Sequence, residues 1–121
     1  MSRIVLVAGL GAAAALAVAV SALGAGAAGS ATPQRVTVAA SEFKFVVAPK
    51  TVKKNALITF AVTNKGTIAH DFKIGGRKSA LIPAGTKATL KVTFKKAGRY
   101  PYLCTLPSHA AAGMKGVLIV K

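Results

Sequence analysis

From residue 35 to residue 120 apolar and polar side chains alternate with a period of two, in short runs broken by glycine, proline or asparagine. That period places successive side chains on opposite faces of an extended strand, so each run has one face to bury and one to wet. Val36, Val38 and Ala40 form one such face; Phe43, Phe45 and Val47 form another. Ile58, Phe60 and Val62 follow, then His70, Phe72 and Ile74 with Asp71 and Lys73 opposite. Leu90, Val92 and Phe94 share a parity, as do Tyr100, Tyr102 and Cys104, and a last strand covers Val117 to Val120. The breaks at Pro49, Asn64-Lys65-Gly66, Gly75-Gly76, Pro83-Ala84-Gly85 and Ala97-Gly98 are turn formers. No segment after residue 30 carries a long helical period. About seven short strands between such turns predict an all-β domain, an antiparallel sandwich or barrel. A length of 121 residues suits one such domain.

Residues 1–27 have a different character. Met-Ser-Arg is followed by an apolar run from Ile4 to Leu23, and no charge occurs between Arg3 and Arg35. A basic start, an apolar stretch and small residues after it form the pattern of a secretory signal, with Ala25-Gly26-Ala27 as an acceptable cleavage site. The run is also near the ~20 residues that cross a bilayer, so an uncleaved membrane anchor is the competing reading. Both place the folded part outside the cytoplasm. Residues 28–34 read as a short linker and 35–121 as the domain.

This division relocates the charge. The whole chain has 17 Lys and Arg against 2 Asp and Glu, a formal +15, although 53% of its residues are hydrophobic. Residues 1–27 contain only Arg3 among charged residues. The domain therefore carries nearly all the positive charge, and much of the apolar excess belongs to the leading segment.

The domain has few residues able to do chemistry. A single cysteine excludes an internal disulfide, and with two histidines it also excludes a structural zinc site of four Cys/His ligands. The donors after residue 30 are His70, Cys104, His109 and Met114, the last three spaced C-x4-H-x4-M. Taken one at a time, a cysteine is a small core residue, a strand histidine a satisfied one and a methionine a gap filler. Taken together, two imidazoles, a thiolate and a thioether are the set that suits copper in both oxidation states. A Cys–His nucleophile pair is the other sharp reading, but it lacks an orienting group and leaves Met114 without a role.

The stretch Tyr100–Val120 (YPYLCTLPSHAAAGMKGVLIV), with Asn64-Lys65-Gly66 and His70-Asp71-Phe72 upstream, resembles the cupredoxins, the small type 1 blue copper proteins. The resemblance covers essentially all of residues 35–121. The spacing of the ligand loop is more like the auracyanin, rusticyanin and sulfocyanin branches than plastocyanin or pseudoazurin, where the Cys–His gap is shorter. The resemblance implies an antiparallel Greek-key β-sandwich holding one Cu(I)/Cu(II) ion. It implies His70 as the buried imidazole ligand, Cys104 as the thiolate, His109 as the ligand nearest the surface and Met114 as the long axial thioether. Asp71 and Thr105 would tie the two ligand loops together, and the Asp71 N–H would reach the cysteine sulfur. Ser108 stands where relatives often have glycine. Tyr100 has the position of a tyrosine corner, and Gly113 and Gly116 flank Met114 where a Cβ would crowd the loop.

The function expected is an exported, monomeric electron carrier and not an enzyme, with copper storage or delivery to a copper enzyme as the alternative. Pro101 to Met114 and Thr67 to His70 contain no Lys, Arg, Asp or Glu, so the expected metal pole is apolar, whereas lysines dominate the body. Such a field would steer an acidic redox partner or hold the protein near an anionic membrane surface; general solubility is the plainer account. Nucleic acid is a poor partner, because the chain is read as exported and aromatics make up only 6% of it, not interleaved with basic residues.

Overall fold

A computed structural model describes residues 31–121. The signal or anchor segment expected at 1–27 lies outside the described residues. Among the described residues nine strands occur in chain order: β1 (Gln34–Ser41), β2 (Lys44–Ala48), β3 (Thr51–Val52), β4 (Leu57–Asn64), β5 (Lys73–Ile74), β6 (Arg77–Lys78), β7 (Lys87–Thr93), β8 (Gly98–Leu103) and β9 (Lys115–Val120). They form two sheets, one ordered β2-β1-β4-β7 and the other β3-β9-β8-β5-β6.

The period-two faces of β1, β4 and β7 hold. Val36, Val38, Ala40, Ile58, Phe60, Val62, Leu90, Val92 and Phe94 are buried between the sheets, and they meet Phe72, Ile74, Tyr102, Leu118 and Val120 of the second sheet and its loops. Aromatic rings run through this core: Phe60 stacks at a tilt on Phe72 at 5.2 Å between centroids, and Phe72 reaches Tyr102 at 5.5 Å. Tyr100 donates its hydroxyl to the Lys96 carbonyl at 2.7 Å, the return bond of a tyrosine corner. Tyr100→Phe removes only that bond. It should cost about 1 kcal/mol and lower Tm by roughly 4–8 °C in calorimetry.

Two pairings differ from the purely antiparallel expectation. β1 and β4 run parallel, as do β3 and β9, so both sheets are mixed. Alternation tells which face of a strand is buried and is silent on the direction of its neighbour. Parallel neighbours need a crossover. Here the chain leaves β1 through β2, visits the other sheet as β3, and only then returns as β4 beside β1.

The His70 segment also differs. Strand pairing in this region is confined to β5, while His70 makes an isolated bridge to Ile82, with N–H···O distances of 3.1 and 2.8 Å. Asp71, expected opposite the buried face, is itself buried. A strand cannot bury two consecutive side chains on one face, so the chain here runs as a loop, and that loop carries the chemistry.

Candidate metal centre

Three loops meet at one end of the sandwich. The first is the two-residue turn Glu42-Phe43 closing the β1–β2 hairpin, whose flanking pair is Ser41 with Lys44. The second runs from Asn64 to Phe72, and the third from Cys104 to Met114.

Asn64 shapes the second loop. Its buried side-chain amide donates to the carbonyls of Ile68 and Ile82, both at 2.8 Å, and its oxygen accepts the Gly66 N–H at 2.9 Å. These bonds curl 64–68 back and deliver His70 into the interior, where it is wholly buried. The third loop is a run of turns held by its own backbone: His109 N–H to Leu106, Ala112 N–H to Ser108, and Gly113 N–H to Ala110. It closes on itself twice more, Met114 N–H reaching the His109 carbonyl and Cys104 N–H the Met114 carbonyl, both at 3.1 Å. Cys104 and Met114 are thereby fixed side by side, with His109 between them in sequence.

Ser108 adopts φ 68°, left-handed backbone that glycine takes at lower cost. Gly113 has φ 118°, and a Cβ at Gly116 would run into the Tyr102 ring, so both glycines beside Met114 are required by the space and backbone around them.

The donor atoms converge. His70 Nδ1 lies 3.2 Å from His109 Nδ1, which in turn lies 3.4 Å from Cys104 Sγ. One ligand atom from each of His70, Cys104 and His109 falls within 4.8 Å of the others. First-row metal ions sit about 2.0–2.3 Å from imidazole nitrogen and thiolate sulfur. Donors sharing one ion in a plane would then stand roughly 3.5–3.9 Å apart, close to what is seen. Lone pairs that face one another at such distances repel unless a proton or cation lies among them, so the donor set fits a metal ion. Met114 is completely buried, Cys104 nearly so, and His109 alone of the four is partly open to solvent. Burial pushes the Cys104 thiol above its ordinary range; the Asp71 carboxylate adds to that push, and the backbone amides of Asp71 and Leu106 oppose it. An ion bound there would take the place of that proton and hold the sulfur as a thiolate.

The link expected between the ligand loops is present. Asp71 Oδ1 accepts the Thr105 N–H at 2.6 Å, and its Oδ2 accepts the Thr105 hydroxyl. These bonds brace the residue after His70 against the residue after Cys104. Two contributors had no signal in the sequence reading. Phe43, on a core face by its alternation with Phe45 and Val47, instead lies edge-on to the His109 ring, 5.0 Å between centroids, and is 41% exposed. Glu42, beside it, reaches His70 Nε2 at 3.3 Å. The only cue would have been that one of the chain's two acidic residues stands at a hairpin tip otherwise poor in turn formers.

The family model for cupredoxin-like domains matches residues 12–120. Copper-resistant cuproprotein CopI of Rubrivivax gelatinosus is 26% identical over 105 residues, 69% of this chain and 64% of CopI, so the chain spans less than two thirds of that relative. Auracyanin from the photosynthetic bacterium Roseiflexus castenholzii superposes with a TM-score of 0.61 at 23% identity, covering 77% of this chain and 99% of the auracyanin. A multicopper oxidase from Campylobacter jejuni has the same fold within a longer chain: TM-score 0.57 at 15% identity, over 76% of this chain and 30% of the oxidase. Fold, donor set and family match agree, and the chain belongs to the cupredoxin-like family.

Proposed function

We propose that this domain holds one type 1 copper ion through His70, Cys104, His109 and Met114 and carries single electrons between redox proteins outside the cytoplasm. The observation that supports it is the convergence of both Nδ1 atoms and the Cys104 sulfur at one buried point. Copper bound there supplies a one-electron couple, for which imidazole, thiolate and thioether suit both oxidation states. The protein's part is rigidity. The His70–Ile82 bridge, the Asp71–Thr105 brace and the self-bonded 104–114 loop keep the donors in place whichever state is bound. Little then has to move on electron gain or loss.

His109 is the exit. Its ring is the partly exposed one, and Phe43 and Ile68, both more than 40% exposed, give the pole an apolar surface suited to brief, close docking. The partner we propose has an acidic surface, because among the described residues no lysine or arginine is ion-paired, leaving the lysines of the body free to attract it. Among those residues there is a single donor cluster, which favours a carrier over an enzyme of the multicopper type. The apolar run at residues 4–23 supports export or anchoring.

The name of CopI, a copper-resistant cuproprotein, favours a second reading in which the domain stores or delivers copper. Voltammetry separates the two. A reversible one-electron wave with fast exchange supports the carrier; copper handed to an apo-enzyme without redox cycling supports delivery. The axial assignment has its own check. Met114→Gln should keep the blue colour and lower the reduction potential, since a harder oxygen donor favours Cu(II). An unchanged potential would remove Met114 from the axis.

A further inference from the structure

We infer that Glu42 is the positioning residue for His70: it holds the Nε2–H tautomer, turns the Nδ1 lone pair toward Cys104 and His109, and adds a negative charge that favours Cu(II). The inference rests on the copper reading above, but its first observable needs no copper.

The geometry is unusual in its economy. One oxygen, Glu42 Oε1, faces three nitrogens: it accepts the Thr67 N–H at 2.7 Å and the Ile68 N–H at 3.1 Å, and it stands 3.3 Å from His70 Nε2. The carboxylate thus joins the β1–β2 hairpin tip to the backbone that precedes His70 and to the ring itself. Gly66 completes the fit, because a Cβ there would collide with that same oxygen. His70 is fully buried, so its ring has no water to choose its tautomer. A carboxylate accepts and never donates when ionised, and therefore selects the proton on Nε2. The lone pair left on Nδ1 is the one that stands 3.2 Å from His109 Nδ1. Glu42 lies on the far side of the ring from the donor cluster and is not a member of it. It acts through His70.

Charge and reach can be separated. In Glu42→Gln an amide oxygen has two lone pairs for three donors. It keeps the shorter bonds to Thr67 and Ile68, so the loop stays folded, while the longer bond to His70 weakens and the charge is gone. Outer partners of metal-bound histidine are worth about 10- to 100-fold in metal affinity. Losing the anion weakens Cu(II) more than Cu(I). The expected change is about tenfold in their affinity ratio, which is ~59 mV upward in reduction potential for a one-electron couple.

The test uses the apo domain first. Long-range ¹H–¹⁵N spectra should show His70 protonated on Nε2 alone, and Glu42→Gln should give a mixture of tautomers with β-sheet circular dichroism unchanged. The copper-loaded pair should then differ in potential by the stated amount. An Nδ1–H tautomer in the wild-type apo domain overturns the inference, and that measurement stands even if the variant fails to fold. Unchanged tautomer and potential in a folded Glu42→Gln also overturn it. If the wild-type domain gives no blue band but the tautomer responds as described, the copper reading fails and the positioning role survives; a blue wild type with an indifferent variant is the reverse.

Discussion

Cu(II) added to the purified domain should give an intense blue thiolate-to-copper band, and Cys104→Ser should abolish it completely. The size of the effect follows from the composition: Cys104 is the sole cysteine, so no other thiolate can take its place. The colour requires more than a thiolate. It needs the sulfur held in a plane with two nitrogens, with a weak axial donor. The bonds that hold it so here are the Cys104–Met114 backbone link and, one residue on, the Thr105 N–H to Asp71. Serine has the same shape and a slightly smaller side chain, and β-sheet circular dichroism should be unchanged, which separates loss of the ligand from loss of the fold. A colourless or green-yellow complex in the wild type would mean ordinary tetragonal coordination, and the type 1 assignment would fail.

What could be read without coordinates follows from how local each signal is. The buried faces of β1, β4 and β7 come directly from alternation, because a sheet with one face in the core must repeat with period two. The C-x4-H-x4-M spacing lies within one loop, so three donors come close whatever the rest of the chain does. His70 stands out because the chain has only two histidines, whereas Asp71 and Thr105 are legible only through likeness to a family. The parallel partners β1–β4 and β3–β9 were not legible, since neighbour direction is decided by a crossover through the other sheet. Glu42 escaped for a related reason. Its importance arises from contacts 25 to 28 positions along the chain, and no local pattern at Ser41–Lys44 announces them.

The second large effect concerns charge near the copper pole. Register places Lys78 opposite Lys73, Lys73 opposite Leu103, and Leu103 opposite Lys115. All three lysines are exposed, in a row that crosses strands β6, β5, β8 and β9 of one sheet. The row begins one residue before Cys104 and one after Met114. Like charges directly opposite one another in a sheet cost stability, and neither acidic residue relieves them: Glu42 and Asp71 are both engaged in the loops that hold the ligands. A row that costs stability and lies beside the proposed copper site is where the proposed acidic partner would gain most. Reversing Lys73, Lys78 and Lys115 to Glu should therefore slow oxidation of the reduced protein by hexacyanoferrate(III), an anionic probe, by about tenfold or more at low salt, within the usual reach of electrostatic steering. Reversing Lys53, Lys54 and Lys95 makes the same change in net charge at the far pole, where the Lys54 N–H bonds the Lys121 carbonyl and the Asn55 N–H the Phe94 carbonyl. That variant should slow the reaction much less, and raising ionic strength toward 0.1 M, where the Debye length is ~10 Å, should erase most of the difference. Equal slowing by both triples would reduce the lysine row to a share of the overall field, and a rate indifferent to salt would leave the basic surface with solubility as its role.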